Sequence, residues 1–92
     1  MLVVISYDVK NDKRRNRIAR TLLNYGSRVQ YSVFEVNVPQ KDFERLQKAL
    51  KKHMDAEADS IRFYHLCDAC YNRVEVMGKG KPVESEDEVY IV

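Results

Sequence analysis

Asp8 is the residue in this sequence whose position best suits metal-assisted chemistry. It follows the apolar, β-branched residues 2–7, a pattern typical of a central strand. It shares the parity of Leu2, Val4 and Ser6, so a sheet with one bare face would present Asp8 on that face. One carboxylate is a poor ion site, but two related by a two-fold axis suit Mg²⁺ or another divalent cation. An aspartate at a strand end is more often a turn or helix-capping residue, so position alone favours that interpretation over the metal site.

Basic residues are concentrated in the first third of the chain. Residues 1–30 hold seven basic and two acidic residues, whereas the remainder holds nine and twelve. This asymmetry suggests a polyanionic partner for the N-terminal third, but charge alone favours the alternative of a solvated helix face. Positive charge in the first turns of a helix opposes its dipole, which suggests a role beyond folding. The candidate phosphate contacts are Arg14, Arg15, Arg17, Arg20 and Arg28.

Three aromatic residues lie near these charges along the sequence. Tyr7, Tyr31 and Phe34 have the ring type that stacks on bases of a single strand. Packing in the core is the competing interpretation, and we favour it for Phe34 and for at least one tyrosine.

Cys67 and Cys70 form the one CxxC pair of the chain. Structural zinc usually needs four ligands, and no second pair exists. A redox CxxC normally opens a helix after a strand, whereas this pair lies between predicted strands at 60–66 and 73–77. We therefore expect a surface turn, and its role stays open.

Residue periodicity predicts the remaining elements. A helix over about 13–25 is capped by Asp12 and ended by Gly26. Residues 28–38 change strand phase, which requires a bulge or bend near Val33 or two short strands. Pro39 suits the start of a second helix. Its predicted apolar stripe comprises Phe43, Leu46, Leu50 and Met54.

The order of elements predicts an α+β fold. It is a ferredoxin-like βαββαβ core with an additional C-terminal strand at residues 89–92. We expect a single domain over residues 1–92, with the core at about 1–78 and a C-terminal extension at about 79–92. Two helices would cover one face of the sheet, and a second copy is the simplest cover for the other. The sequence thus predicts a homodimer, whose tail strand could extend the partner's sheet.

The N-terminus carries no basic segment, and its apolar run is too short for a signal peptide or a membrane span. We therefore expect a cytoplasmic chain with reduced thiols and no membrane partner.

Several segments together resemble one family, the CRISPR-associated Cas2 proteins of spacer acquisition. They are Tyr7-Asp8 at the end of the first strand, the basic helix DKRRNRIARTLLNYG at 12–26, and RVQYSVFE at 28–35. The similarity covers most of the chain, and the region after Gly78 is only loosely similar. The CxxC pair is not part of the family pattern.

The resemblance implies a ferredoxin-like homodimer in which Asp8 of each subunit binds the metal and serves catalysis. It implies a Mg²⁺-dependent endonuclease acting on RNA or DNA, with the Cas1 integrase and nucleic acid as partners. Arg15, Arg17, Arg28 and Phe34 match positions associated with activity or substrate contact. Arg14 joins them as a predicted nucleic-acid contact, and Tyr7 as a supporting residue.

Two hypotheses follow for the mechanism. In the first, the Asp8 pair holds Mg²⁺ and the arginines clamp phosphate for hydrolysis. In the second, the chain is a non-catalytic scaffold that positions DNA between integrase dimers. Only one acidic residue per chain falls in the proposed site, and no general base is evident. On mechanism this leans slightly toward the scaffold, and it also fits a weak or conditional nuclease.

Overall fold

Three helices and one four-stranded antiparallel sheet make up the computed structural model, which describes residues 1–79. The strands lie side by side in the order β2-β3-β1-β4, the order of a ferredoxin-like βαββαβ fold, as predicted. The elements are β1 Leu2–Asp8, α1 Asp12–Leu23, β2 Gly26–Gln30, β3 Val33–Asn37, α2 Gln40–His53, β4 Ser60–Leu66 and α3 Asp68–Tyr71.

Strand β1 lies in the middle of the sheet, which explains its apolar sequence. It pairs with β3 on one side and with β4 on the other. Val3, Ile5 and Tyr7 are buried under the helices, with Val3 and Ile5 fully inaccessible. Their neighbours of opposite parity point away from the helices. The prediction of a central strand is therefore confirmed.

Helix α1 begins one residue earlier than the sequence suggested. The capping residue is Asn11, whose side-chain oxygen accepts a hydrogen bond from the Arg14 backbone N–H at 2.9 Å. The prediction that Asp12 is the cap was wrong, because the preceding asparagine already satisfies this amide. At the other end, the helix stops at Leu23 and Gly26 begins β2. A Cβ at Gly26 would lie 2.1 Å from the Glu35 carbonyl oxygen, so only glycine fits.

A hairpin, not a bent strand, explains the change of phase after Arg28. Strands β2 and β3 pair antiparallel across a turn at Tyr31 and Ser32. The expected bulge near Val33 is absent; the irregular register falls between Arg28 and Gln30. Because the chain reverses direction at the turn, β3 places Phe34 and Val36 in the core, while Val29 of the edge strand β2 is exposed. The two-strand alternative is thus the correct one.

The core lies between the sheet and the helix pair α1 and α2. The predicted stripe of α2 is buried at Phe43, Leu46 and Leu50, and Met54 packs against its edge. From α1 the core receives Ile18, Ala19 and Leu22. The Phe43 ring meets the Phe63 ring of β4 edge to face, with centroids 5.5 Å apart.

Residues 67–79 differ most from the sequence-based expectation. The predicted strand at 73–77 is not formed: Arg73 lies in a turn, and residues 74–77 are exposed and have no regular secondary structure. Val74 and Val76 alternate as a strand would, but they pair with no other strand among residues 1–79. The CxxC pair also differs, because Cys67 directly precedes the short helix α3.

The predicted strand at 89–92 lies outside the described residues. The proposed division at about residue 78 stays a prediction. Within residues 1–79, no helix is both long and apolar enough to cross a membrane.

Candidate functional site

Asp8 lies where the sequence predicted, at the end of β1 on the face of the sheet that no helix covers. Its pairing partner is Ser60, the first residue of β4. Val4 and Ser6 share this open face and are half-buried, while Asp8 is exposed. Among residues 1–79, no hydrogen bond or ion pair engages its carboxylate. Asp8 therefore keeps all its oxygen lone pairs for an outside ligand.

The neighbouring carboxylates, by contrast, are occupied. Asp12 accepts a hydrogen bond from the Arg15 guanidinium, and Asp59 is held by Arg14. Within residues 1–79, no three side chains of His, Cys, Asp or Glu lie close enough to hold a metal ion. One chain thus offers a single free carboxylate at this strand end. These residues fit an Mg²⁺ site when a second copy supplies its own Asp8, as hard cations prefer oxygen ligands.

Arg15 holds the loop that leaves Asp8. Its Nη1 donates to the carbonyl oxygens of Val9 at 3.2 Å and Lys10 at 3.3 Å. The hydrogen bond to Asp12 raises the pKa of Arg15, so the guanidinium stays charged. Arg15, predicted as a phosphate contact, is thereby hydrogen-bonded to the backbone that follows Asp8.

Arg14 anchors the backbone on the other side. Its Nε and Nη2 donate to the two carboxylate oxygens of Asp59 at 2.7 and 3.1 Å, a bidentate ion pair. The Asp55 backbone N–H donates to the same carboxylate at 2.8 Å. These hydrogen bonds, chiefly that from Arg14, lower the pKa of Asp59. Because Asp59 precedes Ser60, this pair fixes the strand end that lies beside Asp8.

Arg17 is a predicted phosphate contact on α1 whose side chain is exposed. Like that of Arg20, its guanidinium forms no ion pair with residues 1–79. Other exposed basic side chains on the same segment are Lys10, Lys13 and Arg20. These groups form no ion pair with residues 1–79, whereas Arg14 and Arg15 are each paired with an aspartate.

Arg28 lies on the covered side of the sheet, at the edge strand β2. It pairs in register with Phe34, and its guanidinium carbon lies 5.1 Å from the centre of that ring. Its Nη2 also lies 3.5 Å from the Tyr7 hydroxyl. Phe34 is fully buried and Tyr7 is 4% exposed, so neither ring is available to stack on a base. Both side chains instead lie against the guanidinium of Arg28.

Tyr31 is the exposed ring of the three aromatic candidates. It lies in the turn between β2 and β3 and is 70% exposed. The Tyr7 hydroxyl donates to its carbonyl oxygen at 3.3 Å, which steadies the turn. The turn and the Asp8 end of β1 lie together, since the Tyr7 backbone N–H donates to the Ser32 carbonyl oxygen at 3.1 Å.

Arg62 was missed at the level of sequence. It pairs with Ser6, so it shares the open face with Asp8 and lies diagonally from it. Such diagonal neighbours are roughly 7–8 Å apart. A hydrogen bond to Tyr64 raises the pKa of Arg62, which keeps it a cation. The position of Arg62 within the predicted strand 60–66 indicates which residues of that strand share its face. Assigning that face to the open side of the sheet required the register with β1.

Fold and site together define a class: a ferredoxin-like domain with a free carboxylate at the end of its first strand, beside a basic helix. The family model for "CRISPR associated protein Cas2" matches residues 1–74. The chain therefore belongs to the Cas2 family, as its sequence pattern suggested.

Known proteins agree with this assignment. The chain is 39% identical over 93 residues to CRISPR-associated endoribonuclease Cas2 1 of Chloroflexus aurantiacus, with 100% of both chains covered. Streptococcus pyogenes Cas2 superposes with a TM-score of 0.74 at 38% identity, covering 85% of this chain and all of the other. A chain of a partial Cas6-RT-Cas1–Cas2 complex superposes with a TM-score of 0.69 at 34% identity, covering 88% of each.

Proposed function

We propose that this chain is a CRISPR-associated endonuclease of the spacer-acquisition machinery, which hydrolyses phosphodiester bonds in RNA or DNA with a divalent cation. The observation that carries the proposal is the free Asp8 carboxylate on the open face. Arg14 and Arg15 hold the backbone segments on either side of it. The Chloroflexus relative, named an endoribonuclease, supports the activity. The alternative of a purely scaffolding protein is less favoured by that name.

The proposed active unit is a homodimer built on the open face. A single chain supplies one free carboxylate, and two copies related by a two-fold axis would supply two. The face that would be covered carries Val4 and the half-exposed ring of Tyr64. Burying these apolar groups favours association.

Asp8 of each copy would hold Mg²⁺ or a similar cation, which when bound polarises the phosphoryl group and lowers the pKa of a bound water. Arg62 lies on the same face and would bind a phosphate oxygen near Asp8. Arg17 would bind phosphates further along the strand, and Tyr31 offers a face for a base. Arg14 and Arg15 are positioning residues in this scheme, because their donors already hold the protein.

The proposed partners are nucleic acid and the Cas1 integrase. The solved chain of a Cas1–Cas2 complex resembles this chain in fold, which supports the integrase as partner. Supporting the nucleic acid are the exposed basic side chains of α1 and its preceding loop.

The test compares wild type with Asp8→Asn on labelled RNA and duplex DNA, with Mg²⁺ or with EDTA. We expect cleavage to need Mg²⁺ and to fall at least about 100-fold in the variant, the scale of losing one electrostatic stabiliser. Melting temperature should stay unchanged, because Asp8 has no partner among residues 1–79. Mg²⁺-dependent cleavage that survives in Asp8→Asn would refute the two-carboxylate site.

A second comparison isolates the arginine beside Asp8. Arg62→Gln should slow cleavage roughly 10- to 150-fold, since a hydrogen bond to a charged group contributes about 1.5–3 kcal/mol. Arg45→Gln is the matched control, because Arg45 is an exposed arginine of α2 whose neighbour is Asp42, 3.8 Å away. Equal effects of the two substitutions would remove Arg62 from the site.

A further inference from the structure

Cys67 and Cys70 lie at the end of the sheet opposite to Asp8. Asp8 pairs with the first residue of β4, whereas Cys67 follows its last residue, Leu66. Both cysteines are exposed free thiols. The proposed nuclease site makes no use of them, and they are the only two cysteines of the chain.

The local backbone brings the two sulfur atoms together. The Tyr71 backbone N–H donates to the Cys67 carbonyl oxygen at 2.9 Å, which closes one helical turn. The two Sγ atoms then lie 3.4 Å apart. A disulfide bond is about 2.05 Å long, so the sulfur atoms need to approach by only about 1.4 Å.

The two thiols are not equivalent. Hydrogen bonds from Cys70, first from its backbone N–H and then from its thiol, lower the pKa of Cys67. The hydrogen bond to Cys67 and the charge of its sulfur raise the pKa of Cys70. Thiolates are the nucleophiles in thiol–disulfide exchange, so Cys67 is the attacking sulfur and Cys70 the resolving one.

A metal site is the competing use of such a pair. Thiophilic ions such as zinc take four ligands in structural sites. Within residues 1–79, no third His, Cys, Asp or Glu side chain completes a set with these two. The described geometry therefore suits a dithiol better than an ion site.

We propose that Cys67 and Cys70 form a redox-active dithiol that exchanges with low-molecular-weight disulfides, of which oxidised glutathione is the probe. The Cys67 thiolate attacks one sulfur of the disulfide and expels the first thiolate, leaving a mixed disulfide on Cys67. Cys70 loses its proton and attacks the Cys67 sulfur, which expels the second thiolate. Two electrons pass from the protein to the disulfide, and two small thiols are released for one Cys67–Cys70 bond.

The experiment equilibrates the reduced full-length protein in buffers of increasing oxidised-to-reduced glutathione ratio. Remaining thiols are trapped with an alkylating reagent and counted by mass spectrometry. Wild type should pass from two alkylated cysteines to none, without accumulating a glutathione adduct. Cys70→Ser should accumulate the mixed disulfide on Cys67, and Cys67→Ser should react with oxidised glutathione at least about tenfold more slowly at pH 7.

Three outcomes would overturn the proposal. Wild type could remain doubly alkylated in fully oxidised buffer, which would show an inert pair. The two single variants could react at equal rates, which would show two ordinary thiols. Oxidised wild type could run as a covalent dimer on a non-reducing gel instead of as a monomer. The double variant Cys67→Ser/Cys70→Ser serves as the blank, and both serines replace exposed side chains.

Discussion

The two faces of the sheet use the same strands for different purposes. On the covered face of β1, Ile5 lies opposite Phe34 and both are fully buried. One residue away on the open face, Val4 is half-buried, and further along the strand Asp8 is exposed. Successive side chains along a strand point to opposite faces of the sheet. The residues that stabilise the core and those proposed for chemistry therefore alternate along β1. A single strand can therefore carry both.

The same division runs along β4. Phe63 turns its ring toward Phe43 of α2, whereas Arg62 and Tyr64 face away. Substitutions on the two faces should therefore differ in what they change: folding on the covered face, association and catalysis on the open face.

The largest difference should come from a matched pair of substitutions in β1. Ile5→Ala should lower the free energy of unfolding by about 2–5 kcal/mol, because it leaves a cavity in the core. Val4→Ala, one residue away, should cost clearly less, since Val4 is already partly exposed. Urea denaturation at several protein concentrations measures both. Equal losses would show that the open face is as tightly packed as the covered one.

The next prediction concerns the open face as a contact between copies. Tyr64→Glu should weaken self-association at least about tenfold, because it loses apolar burial and brings like charges together across a two-fold axis. Sedimentation equilibrium measures the dissociation constant. Leu23→Glu is the control, since Leu23 is 54% exposed on α1 and Tyr64 is 50% exposed on the sheet. A dimer weakened equally by both would place the interface elsewhere.

A smaller effect should follow from the ion pair between α1 and the start of β4. The pKa of Asp59 is lowered in the folded protein, so its ion pair stabilises the fold above the ordinary aspartate pKa of about 3.9. This stabilisation disappears as the pH falls through the lowered value. Asp59→Asn should reduce the melting temperature by several degrees at pH 7 and flatten its decline below about pH 4.

Arg14→Gln removes the other partner of the same ion pair and provides the cross-check. It should flatten the same acidic part of the curve, and the two substitutions together should cost less than their sum. Additive losses would mean that the two residues stabilise the protein independently.

The smallest effect should distinguish Arg17, whose side chain is exposed, from Arg15, whose guanidinium is hydrogen-bonded within the protein. Arg17→Gln should weaken binding to a short duplex DNA a few-fold and reduce the slope of log K against log salt by about 1. Arg15→Gln should leave that slope nearly unchanged, because its donors already serve Val9 and Lys10. Fluorescence anisotropy across a salt series distinguishes them. An equal reduction of the slope by both substitutions would show that Arg15 also contacts phosphate.

Local patterns were sufficient for much of the fold. The periodicity of residues 13–25 and the apolar stripe of Phe43, Leu46 and Leu50 predicted both helices and their buried faces. The parity of Asp8 predicted its place on the uncovered face. Such signals are readable because burial repeats at the period of the element itself.

The sequence patterns did not show contacts between residues that are far apart along the chain. Arg14 was predicted to contact phosphate, but the structure pairs it with Asp59, 45 residues along the chain. Residues 73–77 have a strand pattern, yet the structure forms no strand there. The helical turn that brings Cys67 close to Cys70 was also missed, since one CxxC fits a loop or a helix equally well.

The sequence by itself determined which residues face the core, where α1 and α2 lie, and that Asp8 stands at a strand end among basic residues. Only the tertiary structure decided which arginines are free, that Arg62 shares the face of Asp8, and that the two cysteine sulfur atoms meet. The physical reason is the separation along the chain between the residues that interact. Periodic burial is a property of neighbouring residues, whereas ion pairs and strand register join groups that come together only when the whole chain folds.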